Sequence, residues 1–279
     1  MKENQEITSN VISADGLKFE MLGLDIDGIT IHHNKTNTFY ELEEIRRICR
    51  FVSQATLNKG SLIIDAGANI GNHSLYFGGI FPECEVHSFE MNPFTFKLLN
   101  KNIANSGLIN IYPMNFGLSS RPGNCGIKNN KDLGGAQLDF NSESSKDVFL
   151  TTLDLYLEEI SFSDIALIKI DVEGHEIPCL KGGIKSIEKY RPMIYLEIKE
   201  LEHFREIYNI LSNLNYTILY AADSAVPNFL FVDKESASKI ISSDEVEKIK
   251  TGLCYQLVAK WQFIRKVKNL QKELEKKEI

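Results

Sequence analysis

The chain has 279 residues, 43% of them hydrophobic and 25% charged, with a formal net charge of −7 at pH 7. That length and balance predict a folded core and exclude a disordered chain. The acidic total speaks against nucleic acid as a partner, and no apolar run reaches the roughly 18 residues that a membrane-spanning helix needs.

The five cysteines, Cys49, Cys84, Cys125, Cys179 and Cys254, are odd in number and have no CxxC spacing. They read as reduced thiols and not as a disulfide framework or a zinc site. The start, MKENQEITSN, lacks a charged-then-apolar targeting pattern, so a cytoplasmic location is expected. Within residues 1–38, the stretches KFEML and GITIHH alternate on either side of a turn at Asp25–Gly28, which predicts a small hairpin. Phe39, Leu42, Ile45, Ile48 and Val52 follow at helical spacing. Residues 1–58 are thus expected to form a hairpin and a covering helix ahead of a main domain at 59–235.

In that main domain, strand and helix alternate. SLIIDAG reads as a strand, NHSLYFGGIF as a helix, CEVHSFE as a strand and PFTFKLLNKNIANSG as a helix. Pro93 lies in the first turn of that second helix and Gly107 beyond its end. INIYPMNFG is a third strand. This alternation predicts a parallel sheet with helices on both faces. From Leu118 to Asp147 the rhythm gives way to a polar stretch rich in Gly, Asn and Ser, expected to be a loop, a loose hairpin or a lid over the acceptor, with Gly134-Gly135 as a hinge. TTLDLYLEEI is a short helix, DIALIKIDV a fourth strand, HEIPCLKGGIKSIEKY a helix and PMIYLEI a fifth strand. LEHFREIYNILSNL is the helix after it. YTILYAA and NFLFVDK are expected to pair as antiparallel neighbours at the sheet edge. Residues 236–279 read as a helical tail. From Lys260 onward it carries about +4, against about −11 for the rest. A self-associating helix or a docking arm for a partner enzyme is favoured there over membrane contact.

The first strand of the main domain ends in Asp65-Ala-Gly67-Ala-Asn69-Ile-Gly71. Glycines there let the backbone approach a ligand at the carboxyl end of the sheet. Glu90 closes the next strand, where an acid can accept hydrogen bonds from two ribose hydroxyls. Asn69 stands where a dinucleotide fingerprint needs its second glycine, and Asp65 is poor company for a pyrophosphate. An acid in front of the loop suits the cationic amino-acid end of S-adenosylmethionine. That cofactor is favoured over NAD, with a plain structural turn as the third reading. Asn115 and Phe116 are placed to meet the adenine.

IDAGANIG, HSFEMNP, TLDLYL, IKIDVEGHEIPCLKG and IYLEI, in this order and spacing, resemble the FkbM family of S-adenosylmethionine-dependent methyltransferases. The resemblance covers about residues 39–200. It implies a class I, Rossmann-like methyltransferase sheet of seven strands, mostly parallel with the last antiparallel. It also implies O-methylation, often of sugar hydroxyls in bacterial glycans or of natural products, with S-adenosylhomocysteine as coproduct. The family's cofactor loop falls on Asp65, Gly67, Asn69 and Gly71, and its ribose acid on Glu90.

The acceptor is expected over the ends of the fourth and fifth strands. A sugar hydroxyl needs a base or a metal to become nucleophilic. Lys169, Asp171 and Glu173 share one face if the strand runs that far, and Gly174 ends it. His175 is the expected general base. Asp171 is a second base candidate or a partner for the cofactor's ammonium, and Lys169 supports these acids within the catalytic set. Glu173, Glu197 and Gln137 are read as acceptor-binding. Asp171 with Glu197 makes Mg²⁺ an alternative that is not favoured, so no metal ligand is assigned. The expected activity is methylation of a sugar or nucleotide-sugar hydroxyl in bacterial surface-glycan assembly. A natural-product O-methyltransferase is the alternative, and a non-catalytic cofactor-binding scaffold stands third.

Overall fold

The computed structural model describes residues 6–54, 57–128, 137–139, 148–222, 227–240 and 258–260. The chain divides into two units, Met1–Pro192 and Met193–Ile279.

The first unit begins with an antiparallel hairpin of β1 (Ile7–Ala14) and β2 (Leu17–Leu24). Its turn places Asp15 and Gly16 at φ of 53° and 81°, the left-handed pair that a two-residue hairpin requires. The hairpin expected from KFEML and GITIHH is therefore corrected. KFEML lies in β2, but GITIHH opens helix α1 (Gly28–Thr36). Asp27 caps that helix, accepting from the Thr30 backbone N–H at 3.0 Å and its hydroxyl at 3.1 Å. Helix α2 (Leu42–Val52) follows, with Ile45, Ile48 and Val52 fully buried. Phe39 precedes it and packs edge-on against Tyr76 at 5.0 Å.

The alternating region then runs β3 (Leu62–Ala66), α3 (Asn72–Ile80), β4 (Glu85–Phe89), α4 (Pro93–Ser106) and β5 (Ile111–Met114). Asn92 caps α4, Pro93 enters its first turn and Gly107 ends it at φ 74°. The polar stretch after β5 builds a second, four-stranded sheet. Its strands are β6 (Gly117–Leu118), β7 (Gly123–Lys128), β8 (Gln137–Asp139) and β9 (Val148–Thr151), in the order β6-β9-β7-β8. The antiparallel β7–β8 pair agrees with the hairpin reading of this segment. Gly134 and Gly135, read as a hinge, lie outside the described residues, as do Cys254 and the tail beyond Lys260. Helix α5 (Leu153–Glu158), β10 (Ile165–Ile170), α6 (Glu176–Lys181) and α7 (Ile184–Tyr190) complete the unit.

The second unit contains β11 (Met193–Glu197), α8 (Leu201–Asn213), β12 (Tyr216–Ala222), β13 (Asn228–Asp233) and α9 (Lys234–Ile240). The main sheet has seven strands in the order β12-β13-β11-β10-β3-β4-β5. β10, β3, β4 and β5 pair in parallel, while β13 is antiparallel to both β11 and β12. The last two strands do pair as expected, but the last one, β13, sits inside the sheet and β12 forms its edge. Every residue of β3 and β13 is buried, which explains the apolar runs Leu62–Ile64 and Phe229–Val232, and leaves Asp65, Asn228 and Asp233 as buried polar groups. From β3 the chain steps outward to β4 and β5, then returns to the other side of β3 as β10. Strand order therefore reverses between β3 and β10, where open α/β sheets bind ligands.

Candidate cofactor and acceptor site

At that reversal, Asp65 of β3 and Lys169 of β10 are register partners. The lysine, 1% exposed, places Nζ 2.9 Å from Asp65 Oδ1, 3.4 Å from the Gly67 carbonyl and 3.7 Å from Asp171 Oδ2. Asp65 Oδ2 accepts from the Ser74 hydroxyl at 2.6 Å, and Ser88 donates to Ser74 at 2.8 Å. Burial alone would push the Asp65 carboxyl up, but Lys169, the His73 ring and the Ser74 hydroxyl hold it below the usual range. Burial likewise opposes the charge of Lys169, and Asp65 and Asp171 more than offset it, raising its pKa. Lys169 thus lies within ion-pair distance of both Asp65 and Asp171. The charge of Asp65, read as a match for a cationic ligand, is already answered within the protein.

The loop after β3 lies across the ends of its neighbours. Gly67 and Ala68 donate to the Phe89 carbonyl at 2.9 Å. Gly67 has φ 82°, and a Cβ there would lie 1.8 Å from the Asp171 carbonyl oxygen, so only glycine allows this approach. Asn69 is left-handed at φ 50°, and its buried Oδ1 has no hydrogen-bond partner among the described residues. Gly71, at φ 98°, caps α3. Glu90 closes β4. Its Oε2 accepts from the Asn69 N–H at 3.0 Å and its Oε1 from the Asn92 N–H at 2.8 Å. Burial pushes this carboxyl up to about 7, although those two N–H groups pull the other way. Asn115, placed by sequence near the adenine, donates to the Glu90 carbonyl at 2.9 Å.

β10 ends at Ile170, one residue before Asp171. Glu173 is left-handed at φ 52°, so the shared strand face expected for Lys169, Asp171 and Glu173 does not form. The reason is the turn at Glu173 and Gly174, which ends the twofold alternation. The carboxylate oxygens of Asp171 and Glu173 still lie within 4.8 Å of each other. His175 occupies the N-cap position of α6, and its Nε2 meets the Ser119 hydroxyl at 2.9 Å. Burial lowers its pKa, so the ring is neutral at pH 7 and able to accept a proton. Glu176 turns back to accept from the Gly174 N–H at 2.8 Å. Gln137 opens β8, opposite Lys128 in the register. In the second unit, Glu197 closes β11 with Lys199 Nζ 2.7 Å from its Oε2.

Sequence reasoning did not find Ser74, Ser88 or Ser119. Ser74 left no trace that separates it from its polar neighbours Asn72 and His73 in α3. Ser119 left none, because its partner lies 56 residues away.

Sheet order, glycine loop and strand-end acid together define a Rossmann-like fold of the class I methyltransferase type. Residues 65–218, more than half of the chain, match the profile described as the Methyltransferase FkbM domain. The chain belongs to the FkbM methyltransferase family. It is 30% identical over 161 residues to methyltransferase sdnD of Sordaria araneosa, covering 46% of this chain and 62% of that one. It is 28% identical over 124 residues to the hexuronic acid methyltransferase AglP of Haloferax volcanii, covering 44% of this chain and 50% of that one. The matches thus span about half to three-fifths of those relatives. The crystal structure of methyltransferase FkbM from Methylobacillus flagellatus superposes with a TM-score of 0.44 at 14% identity, covering 64% of this chain and 44% of that one.

Proposed function

We propose that the protein is an S-adenosylmethionine-dependent O-methyltransferase that methylates a hydroxyl of a sugar or nucleotide-sugar in surface-glycan assembly. The observation that carries the cofactor is the end of β4. There a buried carboxyl and the Asn69 Oδ1, which has no hydrogen-bond partner among the described residues, lie beside a loop that excludes a Cβ at Gly67. Glu90 would take the ribose hydroxyls, and Gly67, Asn69 and Gly71 would line the approach, with Asn115 bracing the Glu90 backbone. When bound, the cofactor supplies a methyl group on a sulfonium. The protein's own part is to align the acceptor and hold a proton acceptor near it. His175 fills that role, with Asp171 at the donor–acceptor boundary and Glu173 and Gln137 toward the acceptor. Support for a sugar acceptor comes from the relative named a hexuronic acid methyltransferase. Metal dependence is not part of the reading, and the tail serves association with a second copy or a partner enzyme.

The test is incubation with methyl-labelled cofactor and a panel of nucleotide-linked neutral sugars and hexuronic acids, with and without EDTA. The expected result is alkali-stable label on a sugar, insensitive to EDTA. Alkali-labile label would mark a methyl ester and refute the hydroxyl as acceptor. No label on any sugar would refute the acceptor class.

A further inference from the structure

The two edges of the N-terminal hairpin differ. Asp15 and Gly16 form its turn, so Ala14 and Leu17 exchange hydrogen bonds. The even-numbered residues of β1 therefore bond to β2, and the odd-numbered ones turn their N–H and C=O groups outward. On the β2 edge both outward groups of Leu22 are taken. Its N–H donates to Asn102 Oδ1 at 2.8 Å, and Asn102 Nδ2 donates to its carbonyl at 2.9 Å. On the β1 edge the Ser13 N–H donates to the Asn37 carbonyl at 3.0 Å. The outward N–H groups of Ile7, Ser9 and Val11 have no hydrogen-bond partner among the described residues. Their side chains are exposed too, Ile7 to 52% and Val11 to 49%. Natural edge strands are commonly covered, or guarded by lysine or proline. β1 reads ITSNVISA and carries neither.

Such an edge accepts another strand, and three features point to its own copy. Antiparallel pairing centred on Ser9 sets Ser9 against itself and Ile7 against Val11. All of these are outward-facing residues, so each pair exchanges both of its backbone hydrogen bonds. The same register sets Thr8 against Asn10 in a close pair, with Cα atoms about 4.5 Å apart. Thr8 Oγ1 and Asn10 Nδ2 are buried and have no hydrogen-bond partner among the described residues. One can accept and the other donate, so the register brings each to its complement. Finally, a two-fold axis brings side chains close to their own kind, where like charges repel. β1 has no charged side chain, although the chain as a whole carries −7.

We propose that β1 pairs antiparallel with β1 of a second copy about a two-fold axis at Ser9, joining two hairpins into one four-stranded sheet. This interface is separate from the C-terminal tail and does not depend on the cofactor reading.

The experiment is sedimentation velocity on the full chain, at about 100 μM and on dilution. The wild type should run as a dimer. Val11→Lys should weaken dimerisation about tenfold or more, because it breaks the Ile7–Val11 pair on both sides of the axis and puts lysine on the edge. Val11 faces Glu20 across the hairpin, so the lysine suits the single chain, and a thermal melt checks that it folds. Ser9→Cys tests the register independently. A short bis-maleimide should join it to its own copy across the axis, where the Cα atoms lie about 5.5 Å apart. Lys18→Cys, exposed on β2 near the turn, should stay at the wild-type level of linkage. A monomeric wild type overturns the inference, as does Ser9→Cys that links no better than Lys18→Cys. Undiminished dimerisation of Val11→Lys also overturns it and places the association elsewhere in the chain.

Discussion

At the end of β3, Asp65 is fully buried and meets Lys169 at 2.9 Å and Ser74 at 2.6 Å. At the end of β4, Glu90 is 8% exposed and meets the backbone N–H groups of Asn69 and Asn92, with no cation in ion-pair distance among the described residues. The two neighbouring strands thus carry buried acids with opposite outcomes. One carboxyl is held below its usual range and the other is raised to about 7. The difference separates framework from receptor. An acid whose charge the protein answers fixes the sheet at the strand reversal. An acid met only by backbone dipoles keeps acceptor capacity for an incoming donor.

The largest expected effect comes from erasing that difference. Lys169→Met leaves Asp65 buried without its cation, which should cost about 3–5 kcal/mol in urea denaturation at pH 7. The sign with pH follows from the depressed value of Asp65. In the wild type its contribution is present above the unfolded-state pKa and lost as pH falls through the folded one. In the variant the folded pKa rises instead, so the deficit should shrink as the pH is lowered toward 4. A deficit below 1 kcal/mol, or one independent of pH, would show that Lys169 does not hold Asp65 in its charged form.

Next in size is the acid of β4. With Glu90 raised from 4.5 to about 7, its stabilising contribution is full below the unfolded value and is lost as pH rises through the folded one. Glu90→Gln removes this dependence. The stability of the variant relative to wild type should climb by about 3 kcal/mol, as an order of magnitude, between pH 4.5 and pH 7. Calorimetry at pH 7.5 should find its affinity for S-adenosylhomocysteine about tenfold lower or worse. A flat stability difference would mean that some other group already answers the Glu90 charge.

Both acids were legible in the sequence, because each follows an apolar strand and borders a glycine-rich or proline-led turn. Their opposite environments were not, since Lys169 lies 104 residues from Asp65 and only strand order makes them neighbours. The same limit explains other differences. GITIHH alternates like a strand, but Asp27 caps it as a helix that buries Thr30 and His33 and leaves Ile31 exposed. The small second sheet is built from strands of two to six residues, too short for a periodic pattern to emerge. Glu173 kept its place near Asp171 but not by strand alternation, because a left-handed turn is a backbone choice that a glutamate does not announce.

The smallest effect sharpens the contrast at a third strand end, that of β10. His175 is partly buried and neutral, and its Nε2 is joined to Ser119, itself 4% exposed. Ser119→Ala should cost about 1 kcal/mol of stability, the usual worth of one such hydrogen bond. Stability alone does not separate a histidine that accepts a proton from one that only closes the start of α6, because both lose the same bond. The kinetic constants do. If Ser119 fixes the tautomer and orientation of a working base, kcat for methyl transfer should fall about tenfold, while the acceptor KM and the affinity for S-adenosylhomocysteine stay within about twofold. If kcat keeps its wild-type value while the stability loss appears, His175 is a helix-start residue. The base must then be sought at Asp171, where the glycine loop and β10 meet.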